Sequence, residues 1–363
     1  MRVVNVSVAP FRQALRAPLR TARGGIAERS GFWVRLGLEG GGEGLGEAMP
    51  LPTAGTEEAD ECERLLCRAG QVLTGQQVPE VLVALAVTLD AQLGLADAPA
   101  ARHAVEGALL DAWARARGQS ISSLFSRRPA SSVRLSALLS SEAPEALSEE
   151  AQSLAAVGFR TLKLKVGALS LNEDLARVSA VASAAPDASL RLDANRAWTL
   201  AEASQALPLL FEGAQGRASL CEDPLRELAP DAWAALRARQ PIPLAVDEPL
   251  ADVRVRQQFL ARPDAFDAWV LKPLVQGGLW RSWALAGAVR TAGKGVVVTS
   301  SLDGAVARAA AAQLCAALPE SLDAGLYTGR LFADEALRDP LVAHDGALDL
   351  GGVLGHGVAW GGT

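Results

Sequence analysis

Cysteine, histidine and long apolar runs are scarce in this sequence, and each shortage excludes a class of protein. Four cysteines in 363 residues form no CxxC pair and no disulfide framework, and three scattered histidines leave little room for a histidine-rich zinc site. No apolar run approaches the roughly 20 residues needed to cross a bilayer, and the N-terminus lacks the long apolar stretch of a secretory signal. We therefore expect a cytoplasmic protein with no membrane partner.

Basic charge is not in excess either. The 35 Lys and Arg residues against 41 Asp and Glu residues give a net charge of −6, which argues against nucleic acid as a partner. No P-loop, GxSxG elbow or Cys–His neighbourhood occurs. Because half of the chain is hydrophobic, its 363 residues can bury a large core and suit a barrel with a smaller attached domain. The oligomeric state stays open.

Residues 1–117 have the pattern of an α+β domain. Segments 3–8 and 32–38 alternate as strands do, and the second runs into a glycine-rich turn at 40–44. From about residue 57 onward, apolar residues recur at three- and four-residue steps, which predicts helices. A serine-rich stretch at 117–132 is the predicted domain boundary.

After residue 132, short segments rich in β-branched residues alternate with alanine-rich helical ones. The predicted strands are 133–139, 161–166, 190–195, 219–223, 244–248, 269–273, 296–301 and 324–328. Eight strands alternating with crossover helices predict a βα barrel over residues 132–329. A doubly wound open sheet is the alternative.

Polar residues close these apolar strands. They are Lys163, Lys165, Asp193, Asn195, Glu222, Asp223, Asp247, Glu248, Lys272, Ser300 and Ser301. Successive groups are about 25–29 residues apart, close to the length of one βα unit. In a closed barrel these side chains would converge on the C-terminal face, where active sites of this fold lie.

Three of these residues are acids from consecutive strands. Asp193, Glu222 and Asp247 would repel one another without a counter-charge, and carboxylate oxygens without His or Cys select Mg²⁺ or Mn²⁺ over zinc. The alternative is that each carboxylate caps a helix or pairs with an arginine. That alternative is at least as well supported for Asp223 and Glu248, because adjacent strand residues point in opposite directions.

Lys163 and Lys165 lie two residues apart and therefore on one face of their strand, roughly 6.5–7 Å apart. At that distance two ammonium groups repel by about 2.4 kcal/mol, and this repulsion together with the nearby metal ion would lower one pKa toward the range of a general base. Exposed edge-strand lysines are the alternative, but the apolar residues between and after them oppose it. Lys272 ends a strand several units further on, across the barrel.

Together these motifs resemble the enolase superfamily, in its muconate-lactonising subgroup. The motifs are Lys163-Leu-Lys165, Asp193-Ala-Asn195, Glu222-Asp223-Pro224, Asp247-Glu248-Pro249 and Lys272-Pro273. The resemblance implies an α/β fold: a modified (β/α)7β TIM-like barrel with an N-terminal α+β capping domain. It also implies that the segment from about 330 to 363 packs back onto that domain.

Within the subgroup, the chain most resembles the o-succinylbenzoate synthases of menaquinone biosynthesis. Ser300-Ser301, the segment 323–329 and the glycine-rich stretch 351–358 carry this resemblance. Dipeptide epimerases of the subgroup usually have Asp-x-Asp at the eighth strand, whereas Asp323 is followed here by Ala and Gly. Asp303 stands where relatives often have Glu.

The resemblance implies a metal-dependent lyase that dehydrates 2-succinyl-6-hydroxy-2,4-cyclohexadiene-1-carboxylate, a small carboxylate, to o-succinylbenzoate through an enediolate. Lys165 would remove the α-proton and return it to the leaving hydroxyl, and Lys163 and Lys272 would stabilise negative charge. The other implied residues are the Mg²⁺ ligands Asp193, Glu222 and Asp247, the orienting groups Asn195 and Asp223, and the substrate-binding Ser300, Ser301 and Arg20.

In this family the loop between the first strands, here 19–30, supplies specificity. Its Gly24-Gly25 pair suggests a mobile lid, and Arg20 and Arg23 would attract a dicarboxylate or remain solvated loop charges. An N-acylamino acid racemase or dipeptide epimerase is the main alternative function. A cycloisomerase and a non-catalytic binding protein are further alternatives.

Overall fold

A computed structural model describes residues 1–21, 24–318, 320–334, 337, 339 and 341–360, without the side chains of residues 20 and 21. Its N-terminal part is an antiparallel three-stranded sheet covered by helices. The elements are β1 (Val3–Thr21), β2 (Gly24–Leu38), β3 (Glu43–Ala48), α1 (Ala59–Leu73), α2 (Leu82–Val87), α3 (Pro99–Ala116) and α4 (Ser122–Phe125).

The rest of the chain alternates strands with helices. Its elements are β4 (Ser132–Arg134), β5 (Ser136–Leu138), α5 (Pro144–Ala156), β6 (Thr161–Lys165), α6 (Leu171–Ala184), β7 (Ser189–Asp193), α7 (Leu200–Gly213), β8 (Ala218–Glu222), α8 (Pro230–Arg237), β9 (Leu244–Val246), α9 (Val253–Leu260), β10 (Ala268–Leu271), α10 (Pro273–Gln276), α11 (Leu279–Thr291), β11 (Gly295–Val298), α12 (Ala305–Ala317), β12 (Ala343–His344) and β13 (Ala347–Asp349).

Strands β5 to β11 form a parallel sheet in sequence order. Two residues at the position of the eighth strand close it into a barrel. Ala324 bridges Leu135, beside β5, and Gly325 bridges Thr299, beyond the end of β11. The predicted (β/α)7β barrel with its capping domain is therefore confirmed, and the open-sheet alternative is wrong. The eighth strand is reduced to these bridges rather than spanning 324–328.

Local sequence signals explain where the barrel helices begin. Ser170 and Glu173 form a capping box at the start of α6, and Thr199 and Glu202 form another at α7. Proline occupies the first helical position of α5, α8 and α10, where a missing N–H costs no hydrogen bond.

The C-terminal segment contacts both parts of the molecule. Strand β13 pairs with β4 beside the barrel. His356 Nε2 lies 2.9 Å from the carbonyl oxygen of Leu45 in β3, and its backbone N–H donates to Asp111 in α3. The domain limits 1–117 and 132–329 remain a prediction. Within the described part of the chain, every helix is too short or too polar to cross a membrane.

The first hairpin differs from the expected loop. Residues 19–30 were predicted to form a loop, but β1 continues to Thr21 and β2 begins at Gly24, with Leu19 paired to Ile26. Antiparallel pairing continues because the backbone N–H and C=O groups satisfy each other along both strands. Arg23 and the side chain of Arg20 lie outside the described residues, so their predicted roles stay predictions.

Candidate active site

A cavity of about 440 Å³ lies where the carboxyl ends of the barrel strands meet the capping domain. Most of the strand-end polar residues line it. The capping domain contributes Leu19 and Ile26 from its first hairpin and the segment 51–55 that follows β3. The cavity therefore has a polar floor supplied by the barrel and a largely apolar roof supplied by the cap.

Strand periodicity explains why the charged residues point inward. Leu220 and Val270 belong to an apolar cluster of strand residues beneath the cavity. Two residues further along the same strands come Glu222 and Lys272, which therefore lie on the same face. Asp247 likewise lies two residues beyond Ala245, which belongs to the same cluster.

Lys163 bridges two of the three predicted metal ligands. Its Nζ lies 2.9 Å from Asp193 Oδ2 and donates a hydrogen bond to Glu222, which faces Asp193 in the β7–β8 register. Both carboxylates are buried. Burial alone would lower the pKa of Lys163, but the negative charges of Asp193, Glu222 and Asp247 outweigh it and raise that pKa. Lys163 is therefore a fixed positive charge.

Lys272 is paired in the same way with the third carboxylate. Its Nζ lies 2.7 Å from Asp247 Oδ1 and 2.8 Å from Oδ2. Burial acts to lower the pKa of Lys272, and the charge of Asp247 together with its hydrogen bond raises it by more. Lys272 therefore holds its proton firmly in this arrangement.

Lys165 differs from both. Among the described residues its amine makes no hydrogen bond or ion pair, although it lines the cavity. Burial lowers the pKa of Lys165. The charge of Asp193 opposes this by a smaller amount, and the charges of Lys163 and Lys272 lower the pKa further. The predicted direction of this shift is confirmed, but burial contributes more than the repulsion within the lysine pair. The result is an amine suited to accept a proton.

Two neighbouring polar residues hold the site backbone. Asp223, fully buried, accepts hydrogen bonds from the backbone N–H groups of Asp247 at 2.9 Å and Glu248 at 2.8 Å. The Asn195 N–H donates to Asp193 Oδ1 at 3.1 Å, and Asn195 Nδ2 lies 3.4 Å from Glu248 Oε1. These contacts suit the orienting roles predicted for Asn195 and Asp223.

Glu248 also lines the cavity, although the alternation of side chains along a strand does not predict this. Only one residue of each adjacent acidic pair was expected to face the barrel axis. At the end of β8 neither acid is part of the cavity lining, although Glu222 contacts the cavity residue Lys163. Strand β9, however, ends at Val246, and a 3₁₀ turn begins at Glu248. Alternation stops where the strand stops, so both Asp247 and Glu248 line the cavity.

The carboxylates fit a hard divalent cation by donor type and charge. Asp193, Glu222 and Asp247 are each no more than 6% exposed. Burial, with a contribution from the charge of Asp193, raises the pKa of Glu222, so the acids demand a compensating positive charge. Within the described chain, no three Asp, Glu, His or Cys side chains form a ready-made metal cluster. The positive charges described beside these acids are those of Lys163, Lys272 and Arg191, whose Nε lies 3.8 Å from Glu222 Oε1.

The opposite side of the cavity carries hydroxyl groups. Ser300 and Ser301 line it with Thr299 and Thr328, and the hydroxyl oxygens of Ser300 and Thr328 are 2.7 Å apart. The one acid of the eighth strand is elsewhere, because Asp323 accepts a hydrogen bond from Thr161 at the start of β6, the opposite end of the barrel.

Sequence reasoning missed several cavity residues. Arg196 follows Asn195 in a left-handed conformation at φ 63° and lines the cavity, as do Thr53 and Gly55 of the cap. A positive φ is unusual for a residue other than glycine, and nothing in the local sequence predicts it at Arg196. The cap residues gave no signal, because they reach the site only when the two parts of the molecule pack together.

Two family models match the chain. Residues 3–126 match the mandelate racemase / muconate lactonizing enzyme N-terminal domain, and residues 146–361 match the enolase C-terminal domain-like family. The chain belongs to the enolase superfamily, as its strand-end motifs predicted. Membership supports an enzyme, a lyase or an isomerase, in a superfamily that acts on small carboxylates and generally uses Mg²⁺.

Individual relatives carry different activities. Muconate cycloisomerase 1 of Rhodococcus opacus is 29% identical over 99% of this chain and 96% of its own length. The o-succinylbenzoate synthase of Thermosynechococcus vestitus is 32% identical over 83% of this chain and 85% of its own length.

Solved structures share the fold. The L-Ala-D/L-Glu epimerase of Bacillus subtilis has a TM-score of 0.89 at 22% identity, with 99% of each chain covered. The dipeptide epimerase of Enterococcus faecalis, complexed with Mg and L-Leu-L-Tyr, has a TM-score of 0.87 at 24% identity, covering 99% of this chain and 100% of that one.

Proposed function

We propose that this chain is a divalent-metal-dependent lyase that dehydrates 2-succinyl-6-hydroxy-2,4-cyclohexadiene-1-carboxylate to o-succinylbenzoate, a step of menaquinone biosynthesis. The observation that carries this proposal is Lys165. It is a half-buried amine with a lowered pKa and no partner in the described chain, beside two lysines that are held charged by acids. A proton acceptor next to fixed positive charge is what abstraction of a carbon-bound proton requires.

The chain's own residues account for the proton movements. Lys165 takes the proton from the carbon next to the substrate carboxylate, and the negative charge passes to the carboxylate oxygens, where Lys163 and Lys272 provide positive charge. The protonated Lys165 then gives its proton to the β-hydroxyl, the C–O bond breaks, water leaves and the ring becomes aromatic. Asn195 and Asp223 hold the surrounding backbone in place.

Asp193, Glu222 and Asp247 are the proposed ligands of Mg²⁺, with Mn²⁺ as a substitute. When bound, the cation supplies positive charge at the substrate carboxylate. The presence of Mg in the Enterococcus faecalis epimerase complex supports this assignment, as does the burial of three acids in one site.

The hydroxyl side of the cavity supports the dehydration over a dipeptide reaction. Ser300 and Ser301 are proposed to contact the succinyl group, with Arg20 as a further contact from the cap. A dipeptide's ammonium group would need an acid there, but Asp323 is bound to Thr161 at the opposite end of the barrel. Relatives named o-succinylbenzoate synthase at about 30% identity support the same choice.

An N-acylamino acid racemase is the second candidate, favoured by one observation. Lys272 lies across the cavity from Lys165, so an amine is present on each side of a bound substrate. A racemase needs both to exchange protons, whereas the dehydration needs Lys165 alone for proton transfer.

The deciding experiment gives purified protein with Mg²⁺ the cyclohexadiene substrate and, separately, an N-succinylamino acid, with an EDTA-treated sample as control. We expect formation of o-succinylbenzoate that stops in EDTA and returns with Mg²⁺. Racemisation of the N-succinylamino acid without formation of o-succinylbenzoate would contradict the dehydration and support the second candidate. For a racemase, Lys272→Arg should abolish solvent deuterium exchange of one enantiomer only. For a lyase, changing either Lys165 or Lys272 should abolish dehydration.

A further inference from the structure

Two side chains of the capping domain hold the barrel turn that presents the cavity serines. This turn comprises residues 300–304, between the end of β11 and the start of α12. Ser300, Ser301 and Leu302 line the cavity. The side chains that hold the turn, Glu47 and Arg29, lie outside the cavity lining, so they cannot act by touching a substrate there.

Glu47 caps a helix that belongs to the barrel. It is the second-last residue of the hairpin strand β3 and is only 1% exposed. Its carboxylate accepts hydrogen bonds from the backbone N–H groups of Gly304 at 2.6 Å, Val306 at 3.1 Å and Ala307 at 3.4 Å. Helix α12 has no capping side chain of its own, so Glu47 satisfies N–H groups that would otherwise be buried without partners.

Glycine at position 304 makes this contact possible. A Cβ atom there would lie 2.5 Å from Glu47 Oε2. The carboxylate therefore reaches the first turn of α12 only because residue 304 has no side chain.

Arg29 holds the same turn from the neighbouring strand β2. Its guanidinium donates to the carbonyl of Leu302 at 3.3 Å, and to those of Met49 at 2.7 Å and Pro50 at 2.9 Å. Residues 51–55, which line the cavity from the cap, follow directly after these two carbonyls. One buried guanidinium thus fixes both the barrel turn and the cap segment that face each other across the cavity.

The turn needs this support because its backbone is strained. Leu302 adopts φ 61°, a left-handed conformation that costs a branched residue free energy. Ser301 donates a 2.7 Å hydrogen bond to Asp303, whose carbonyl in turn accepts from Arg308. The orientation of the Ser301 hydroxyl is therefore tied to a turn that does not hold its shape alone.

We propose that Glu47 and Arg29 are positioning residues: they fix the 300–304 turn from the capping domain, and thereby set how tightly the site binds the part of the substrate that the serines contact. This inference rests on the proposed function for the identity of the substrate. The contacts of Glu47 and Arg29 with the 300–304 turn, called the clamp below, are a property of the fold. They can be tested without measuring turnover.

The first test compares Glu47→Gln with Glu57→Gln at about pH 8. Glu57 is a matched control, because its carboxylate also caps a helix, accepting from the N–H groups of Ala100 and Ala101 in α3. Among the described residues, neither of these hydrogen bonds involves the barrel. For Glu47→Gln we expect KM for the cyclohexadiene substrate to rise roughly tenfold while kcat changes less than about twofold. For Glu57→Gln we expect both constants to stay within about twofold.

A double-mutant cycle separates positioning from general damage. If Glu47 acts through the turn, its substitution should change KM by less than about twofold in a Ser301→Ala background, where the positioned hydroxyl is already gone. Additive effects in the double variant would contradict the proposal. Should Glu47→Gln fail to fold, Arg29→Lys replaces it, because lysine keeps the charge but has one terminal nitrogen in place of the three through which Arg29 contacts its three carbonyls.

Hydrogen exchange provides a readout that needs no substrate. We expect faster exchange across residues 299–307 in Glu47→Gln and no change there in Glu57→Gln. Unchanged exchange overturns the clamp, and faster exchange with unaltered KM overturns its positioning role. If the unmodified protein fails to turn over the cyclohexadiene, the proposed function fails, and the exchange result alone decides whether the clamp exists.

Discussion

Lysine is rare in this chain, and three of its few occurrences lie in the cavity. Only four of the 35 basic residues are lysine, at positions 163, 165, 272 and 294. The other basic residues are arginine, whose guanidinium stays protonated at any ordinary pH and cannot serve as a base. An amine placed in a buried site can lose its proton, so the residue choice itself points to proton transfer at this site.

Replacing Lys165 by arginine tests that reasoning directly. Lys165→Arg keeps the positive charge and the approximate size but removes the group that can accept a proton. We expect kcat to fall by about a thousandfold or more, with the far-UV circular dichroism spectrum unchanged. Lys294→Arg is the matched control, because Lys294 stacks near Phe266 away from the cavity. Comparable kcat values for both variants would exclude Lys165 as the base.

Lys163 is expected to contribute to stability in a way that depends on metal. Lys163→Met leaves Asp193 and Glu222 buried without their bridging ammonium, so in EDTA we expect a loss of about 3–5 kcal/mol in the free energy of unfolding. In saturating Mg²⁺ the loss should be smaller, because a cation that binds only the folded state restores the counter-charge. Urea denaturation with and without Mg²⁺ measures both values. Equal losses in the two conditions would argue against these acids as metal ligands.

At the scale of elements, the capping sheet approaches its central helix through glycines. Helix α3 is buried along nearly its whole length beneath β3. A Cβ atom on Gly44 would lie 2.0 Å from the carbonyl oxygen of Ala108, and one on Gly46 would lie 1.9 Å from that of Ala104. These contacts are with backbone, which cannot move aside. The placement of Glu47 against α12 depends on this close approach, since it directly follows Gly46.

Two glycine substitutions at this contact should have opposite effects. Gly46→Ala should destabilise the protein by about 1–3 kcal/mol or more, because the new methyl group overlaps the backbone of α3. Gly107→Ala, on the facing helix, should stabilise it by about 0.5–1 kcal/mol, because its methyl group meets only Gly46 Cα at 3.8 Å and alanine favours the helix. Chemical denaturation of both variants provides the comparison. A destabilised Gly107→Ala variant would mean that the interface tolerates no added volume on either side.

At the scale of the whole molecule, the capping domain and the barrel are joined through buried charge. Glu47 lies at this junction among Asp303, Arg308, Arg29 and the buried His103, whose Nδ1 is 2.9 Å from the Glu47 carbonyl oxygen. Burial, and then the charge of Asp303, raises the pKa of Glu47 to about 7. Glu47 should therefore contribute to the pH dependence of global stability, alongside other buried carboxyl groups such as Glu222.

The direction of that dependence follows from the raised pKa. In the unfolded chain Glu47 loses its proton near its ordinary pKa of 4.5, whereas the folded protein keeps it up to about pH 7. The stabilising contribution is complete below about pH 4.5 and is lost as the pH rises to about 7. Between about pH 5 and 8 we expect Glu47 to account for roughly 2–3 kcal/mol of lost stability. Urea denaturation of Glu47→Gln should show a pH dependence weaker by that amount, and an unaltered dependence would contradict the raised pKa.

Much of the barrel and its polar floor could be predicted because the evidence for them is local. Each strand is an apolar run that ends in a polar residue, and the spacing from Asp193 to Glu222 to Asp247 matches one βα unit per step. Glu248 could not be assigned in the same way, because its direction depends on β9 ending at Val246. The first hairpin was mistaken for a loop, because strand pairing over residues 19–26 depends on a partner rather than on local pattern.

Sequence alone determined the fold class, the superfamily and the kinds of chemical group at the strand ends, because these follow from the order, spacing and type of residues along the chain. Tertiary structure alone decided which of three lysines is left without an acid partner in the described chain, and which cap residues hold the serine turn. Those properties depend on burial and on distances between residues far apart in sequence, such as Glu47 and Gly304. Such distances arise only when the capping domain packs against the barrel.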